Sequence, residues 1–68
     1  PFEPIISQMV LDIKEPVNII FADTKNIDGK ALGQTVIQLP QDTQAAAKIV
    51  SYLRSKNLTV EEVTQHEQ

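Results

Sequence analysis

Residues 17–39 read VNIIFADTKNIDGKALGQTVIQL, and this stretch decides the fold. It is rich in β-branched residues, its second part alternates apolar and polar side chains, and Asp28-Gly29 interrupts it near the middle. Asp-Gly between two such runs favours a type I′ hairpin turn, because both central residues of that turn need positive φ. The sequence therefore predicts two antiparallel strands, Val17 to Ile27 and Leu32 to Leu39.

The turn also sets the register of the hairpin, since each strand residue is counted back from it. Ile27 should lie opposite Lys30. Continued along an uninterrupted ladder, the same count places Phe21 opposite Val36 and Ile20 opposite Ile37.

Two apolar stripes at helical spacing flank the hairpin. The first helix should run from Pro4 to about Lys14, because proline favours the first helical position and Glu15 precedes Pro16, which disfavours the α region. The second should follow Asp42 as its N-cap and end before Asn57, which tolerates the left-handed conformation. The stripes are Ile5, Ile6, Met9, Val10 and Ile13 in the first helix, and Ala46, Ile49, Val50 and Leu53 in the second.

A last strand is predicted from Leu58 to about Val63, which completes the order helix, strand, strand, helix, strand. This order is a split βαβ pattern, βαββαβ, without its first strand. In the complete pattern that strand lies centrally, between the strands around Thr35 and Val60. We therefore expect a strand upstream of Pro1, or from another chain, to fill this place in the α+β sandwich.

Size and composition narrow the class of function. A chain of 68 residues is a single small domain that buries only ~60% of its unfolded surface, so a partner is expected. Net charge is −3, with six scattered Lys and Arg, which argues against nucleic acid as a partner. The sequence has no cysteine and no apolar run near the ~20 residues that span a bilayer.

Residues for catalysis or for a cofactor are hard to find in the sequence. His66 is the single histidine and lies in a polar tail, where nothing orients it as a base or ligand. No serine has a nearby histidine, and no glycine-rich phosphate loop is present. We expect a non-catalytic domain without a cofactor of its own. The acidic side chains that were weighed as a metal cluster, and judged to be solvated or in turns, are Asp23, Asp28, Glu61 and Glu62.

An ordered set of short motifs resembles the NIL domain, a family named for an Asn-Ile-Leu motif. Asn18-Ile19-Ile20 stands in the place of that motif, after Pro4-Ile5-Ile6-Ser7. Gly33 then opens a β-rich run, and Tyr52-Leu53 precedes Leu58-Thr59-Val60-Glu61. The likeness covers nearly the whole chain, from Pro4 to Val63.

The resemblance implies an ACT-like ferredoxin fold in the C-terminal regulatory domain of the ATP-binding subunit of bacterial methionine ABC importers. Such a domain pairs as a homodimer and binds L-methionine, which inhibits uptake. The parent subunit would use ATP and Mg²⁺ in its ATPase domain, contact permease subunits and lie at the cytoplasmic face of the membrane. Asn18 matches the motif asparagine that helps bind the amino acid. By strand alternation, Ile20 and Ala22 would share its face and line the side-chain pocket.

Two alternatives stay open at the level of sequence. The domain could be a dimerisation module of an ABC ATPase with no ligand of its own. The alternative for Asn18 is that it only satisfies backbone groups at the start of a strand. The approach Lys14-Glu15-Pro16 and the charged Glu62 both depart from the usual family pattern.

Overall fold

The computed structural model describes residues 3–63 and shows an α+β chain. Its elements are α1 (Glu3–Ile13), β1 (Asn18–Ile27), β2 (Lys30–Gln38) and α2 (Thr43–Ser55). The two strands form an antiparallel two-stranded sheet. These four elements confirm the predicted helices and hairpin, and each boundary falls within two residues of its predicted place.

The hairpin turn has the conformation that its sequence favours. Asp28 has φ 52° and Gly29 has φ 79°, and Ile27 lies opposite Lys30 as predicted. A Cβ added at Gly29 would meet no atom within 4 Å, so backbone strain, and not lack of space, restricts this position. Two consecutive residues at positive φ match the right-handed twist of the strands that leave the turn.

A β-bulge interrupts the ladder between Ile19 and Phe21. Phe21 lies opposite Val36, as predicted, but Ile37 pairs with Ile19. The predicted pair of Ile20 with Ile37 is therefore wrong, because the count from the turn assumed that no residue is inserted. Ile20 is the inserted residue, and every pair beyond it is shifted by one position.

The register divides the hairpin into two faces, since directly paired residues point to the same side. We call one of them the open face, because all its side chains are exposed. On the opposite face, Thr35 and Ile37 of β2 are half-buried. The open face consists of Asn18, Phe21, Asp23, Lys25 and Ile27 of β1 and Lys30, Leu32, Gln34, Val36 and Gln38 of β2.

The core of the described chain lies between the two helices. Met9 of α1 and Ile49 of α2 are completely buried, and Ala45 and Val50 join them. These residues belong to the predicted apolar stripes or adjoin them, whereas Leu11 points away and is 69% exposed. No Cα of either helix lies within 8 Å of a Cα of either strand. The helix pair thus has a core of its own, and the hairpin does not pack closely on it.

Both helices end at a residue in the left-handed conformation. After α1, Lys14 has φ 64° and its N–H donates to the Val10 carbonyl at 2.8 Å. After α2, Asn57 has φ 62°, as its sequence position predicts, and its N–H donates to the Arg54 carbonyl at 3.1 Å. Asp42 is the N-cap of α2, as predicted, although its side chain makes no capping hydrogen bond. At each of these two residues the chain leaves the direction of the helix that it has just completed.

The predicted last strand is not formed. Residues 58–63 have no ladder partner, and the guanidinium of Arg54 donates to the Val60 carbonyl at 3.4 Å. Leu58 and Val60 are half-buried in this path. A segment with strand propensity becomes a strand only when an open edge lies beside it, and neither edge of the hairpin pairs with residues 58–63.

Shortening a side chain of the helix core should lower the free energy of unfolding, whereas shortening an exposed side chain should change it little. We expect Ile49→Val to reduce the free energy of unfolding by ~0.5–1.5 kcal/mol, because it removes one buried methylene group. Leu11→Ala on the exposed side of α1 should stay within ~0.5 kcal/mol of wild type. Urea unfolding followed by circular dichroism measures both. Equal losses for the two variants would contradict a core centred on Ile49.

Candidate functional site

The motif residue Asn18 opens β1 and lies directly opposite Gln38, which closes β2. Its side-chain Nδ2 donates a hydrogen bond to Gln38 Oε1 at 3.3 Å. Both side chains are exposed. The pair sits at the end of the hairpin away from the turn, on the open face, and its two amides offer donors and acceptors to solvent.

The residues predicted to share a face with Asn18 do not do so in the structure. Ala22 pairs with Thr35 and therefore lies on the face opposite to Asn18. The predicted shared face is wrong, because the bulge adds one residue between the two positions and inverts the alternation. Ile20 is that added residue and is 61% exposed. Direct contact of Ile20 or Ala22 with a ligand stays a prediction.

The structure instead places a pair of apolar residues on the same face as Asn18. Counting residues back from the turn had predicted this pair but had put it on the opposite face. Phe21 and Val36 form the next pair on the open face beyond Asn18 and Gln38. Phe21 is 49% exposed and Val36 is 38% exposed. The sequence contained no turn residue or glycine at Ile20 that would have signalled the bulge. This end of the open face therefore combines the two amides of Asn18 and Gln38 with an exposed aromatic ring.

Two open, shallow grooves of the described chain lie elsewhere, along α2. One runs between the helices and is lined by Asp12, Lys48 and Tyr52 among others; the second lies between α2 and Glu62. Neither includes Asn18. Residues 3–63 thus place Asn18 on an open surface, and a ligand there would need further cover to be enclosed.

A polar cluster, here called the helix seam, crosses the first groove. Tyr52 Oη donates to Asp12 Oδ2 at 2.9 Å, and Gln8 Nε2 donates to Asp12 Oδ1 at 2.9 Å. The Lys56 ammonium stands 5.2 Å from the centroid of the Tyr52 ring, in a cation–π contact. The bond between Tyr52 and Asp12 joins α2 to α1, so the helix seam is best interpreted as a helix–helix contact.

The helix seam shifts the pKa values of its acidic groups. Hydrogen bonds from Gln8 and then from Tyr52 hold the pKa of Asp12 below its ordinary value of 3.8, because they favour the ionised carboxylate. Partial desolvation, and then the neighbouring Asp12, raise the pKa of Tyr52 above its ordinary value of 10.0. At neutral pH the seam therefore holds an anionic carboxylate and a neutral phenol.

Within residues 3–63, no three histidine, aspartate or glutamate side chains gather where they could hold a metal ion. The weighed acidic residues Asp23, Asp28, Glu61 and Glu62 accordingly do not form a cluster. His66 lies outside the described residues. In the same part of the chain, neither helix has the length and apolar character that crossing a membrane requires.

Comparison with known proteins identifies the family. The model of the NIL domain matches residues 2–62. The chain belongs to the NIL domain family. A curated relative, the methionine import ATP-binding protein MetN 2 of Acinetobacter baylyi, is 31% identical over 58 residues. The match covers 85% of this chain and 17% of the relative, and no solved structure matches significantly.

The NIL domain assignment confirms the resemblance carried by Asn18-Ile19-Ile20 and the motifs around it. The match extends through the hairpin and both helices. It thus places the open face, with its paired amides, within the family domain.

The helix seam allows a test by titration. In the folded chain the pKa of Asp12 lies below 3.8. The stability that the ionised Asp12 carboxylate contributes is therefore fully present above the pKa of the unfolded chain, and it is lost as the pH falls through the pKa of the folded chain. Tyr52→Phe removes one of the two bonds to Asp12 but keeps the ring. We expect the Asp12 pKa to rise towards 3.8 in this variant, as measured by NMR titration of the carboxyl carbon.

The control variant is Asn26→Ala, at an exposed position of β1 outside the helix seam, and it should leave the Asp12 titration as it is in wild type. An Asp12 titration curve unchanged by Tyr52→Phe would show that the hydroxyl does not hold the carboxylate in solution.

Proposed function

We propose that this NIL domain is a ligand-sensing regulatory domain that binds methionine and thereby inhibits a methionine ABC importer. The observation that carries the proposal is Asn18, which resembles the motif asparagine of the family and lies exposed on the same open face as the aromatic Phe21. The relative named as a methionine import ATP-binding protein supports the choice of ligand. A site for methionine needs polar groups for the charged ends and apolar surface for the thioether chain.

The open face needs a cover before it can act as a pocket, and we propose that a second copy of the domain supplies it. Phe21, Ile27 and Leu32 are each about half exposed there. Symmetric pairs are the commonest oligomers of soluble proteins, and a small domain gains most from burying such surface. A ligand held between two copies would couple its binding to their association.

The protein that contains the domain would, on this proposal, be the ATP-binding subunit of the importer. ATP and Mg²⁺ would belong to its ATPase domain, and the NIL domain would have neither catalysis nor a cofactor of its own. The subunit would contact permease subunits at the cytoplasmic face of the membrane. Methionine can shift such a transporter only by its difference in affinity between the active and inhibited states.

We also propose that the complete domain has the ferredoxin-like, ACT-like arrangement, with a strand from upstream of residue 1 between β2 and residues 58–63. Within residues 3–63, the outer edge of β2 and the strand-like segment 58–63 have no ladder partner, and this supports the proposal because the added strand would form backbone hydrogen bonds with both. In a longer form of the protein, amide protons on the outer edge of β2 should exchange slowly with solvent. Fast exchange along that edge would contradict the added strand.

The site is tested by Asn18→Ala. We expect methionine binding to weaken at least tenfold, because a lost hydrogen bond to a charged group costs ~1.5–3 kcal/mol and ~1.4 kcal/mol corresponds to a factor of ten. Isothermal titration calorimetry of the complete protein measures the affinity. Asn26→Ala is the matched control, since Asn26 is an exposed asparagine of the same strand that pairs with Ala31 on the opposite face.

Thermal melting without ligand completes that experiment. An Asn18→Ala variant that binds methionine like the parent, or that melts far lower, would make Asn18 a structural residue. The alternative function, a dimerisation module without a ligand, is favoured by the exposed apolar residues of the open face. It predicts no heat of methionine binding and a dimer whose stability is independent of methionine.

A further inference from the structure

We propose that Gln38 both orders the Asn18 amide and binds the ligand with it, so that the paired amides hold the head group of an α-amino acid. This inference rests on the proposed function and names a part of its site. The observation behind it is the hydrogen bond from Asn18 Nδ2 to Gln38 Oε1, at 3.3 Å, between two residues that lie directly opposite on the open face.

The chemistry of the pair matches both charges of the head group. Asn18 uses one N–H for Gln38, which leaves its Oδ1 to accept from an ammonium group. Gln38 uses its Oε1, which leaves the two N–H groups of its Nε2 to donate to a carboxylate. The amide of a lone asparagine is free to rotate, so its donor and acceptor would have to be ordered when the ligand binds. The bond to Gln38 orders them in advance.

The bulge gives the amino-acid side chain a direction. With Ile20 inserted, the next pair beyond Asn18 and Gln38 on the open face is Phe21 with Val36. Residues two apart in a strand are separated by ~7 Å, which lies within reach of a ligand whose head group rests on the amides. A thioether can make a favourable contact with an aromatic ring, so the side chain of methionine would lie over Phe21.

A double-mutant cycle on the complete protein tests the positioning role. Methionine is titrated into wild type, Asn18→Ala, Gln38→Ala and the double variant. We expect Gln38→Ala to weaken binding at least tenfold, as Asn18→Ala does, because it too loses a hydrogen bond to a charged group of the ligand. The double variant should bind more weakly than either single variant, but more tightly than the product of the two single losses predicts, because each amide also orders the other.

Gln34→Ala is the matched control, because Gln34 is an exposed glutamine of the same strand and face, opposite Asp23. It should bind methionine like wild type. NMR of the ligand-free protein adds a readout that does not need binding, since the side-chain amide signals of Asn18 should move in Gln38→Ala and not in Gln34→Ala. If Gln38→Ala lowers the melting temperature, Gln38→Met keeps the length of the side chain without its amide and should weaken binding equally.

The outcomes separate the inference from the function on which it rests. If wild type binds methionine and Gln38→Ala binds it equally well, the inference alone is overturned. The inference alone is also overturned if the losses of affinity add up in the double variant. Wild type that binds no methionine overturns the proposed function and the inference together. A non-additive cycle with shifted Asn18 amide signals supports both.

Discussion

A two-stranded sheet leaves each strand with one unpaired edge, and the rest of this structure depends on that constraint. β1 and β2 satisfy one another, but their outer backbone groups face away from any strand of residues 3–63. A lone hairpin is marginally stable in water and usually needs a third strand or a packed helix. Here the helices pack on each other around Met9 and Ile49, at a distance from the strands. Within residues 3–63, neither helix therefore covers the hairpin.

The inserted residue Ile20 has an effect out of proportion to its size. Because side chains alternate along a strand, one extra residue exchanges the faces of everything on one side of it. Asn18 is thereby placed with Gln38, Phe21 and Val36, and not with Ala22. Bulges commonly lie next to functional sites, where they redirect a side chain. The stretch Asn18-Ile19-Ile20, which resembles the family motif, contains this bulge, so in this chain it has an irregular backbone geometry as well as its own set of side chains.

Regulation on an open face follows a simple energetic logic. A ligand that lies between the open face and a covering partner adds contacts to only those states in which the two meet. Its binding free energy then favours those states by the difference in affinity, which is all that a regulatory ligand can contribute. An open face is suited to this role, because an enclosed pocket would bind equally well whatever the arrangement of its neighbours.

Local signals in the sequence determined the elements of this protein. Asp28-Gly29 predicted the turn, the apolar stripes predicted the helices, and Asn57 predicted a left-handed helix end, because each depends on backbone preferences or periodicity within a few residues. Tertiary structure decided the rest. The bulge at Ile20, the partner of Asn18 and the unpaired path of residues 58–63 depend on which strand lies beside which. Hydrogen bonds between strands join residues distant in the chain, and no local preference encodes the register or presence of such a partner.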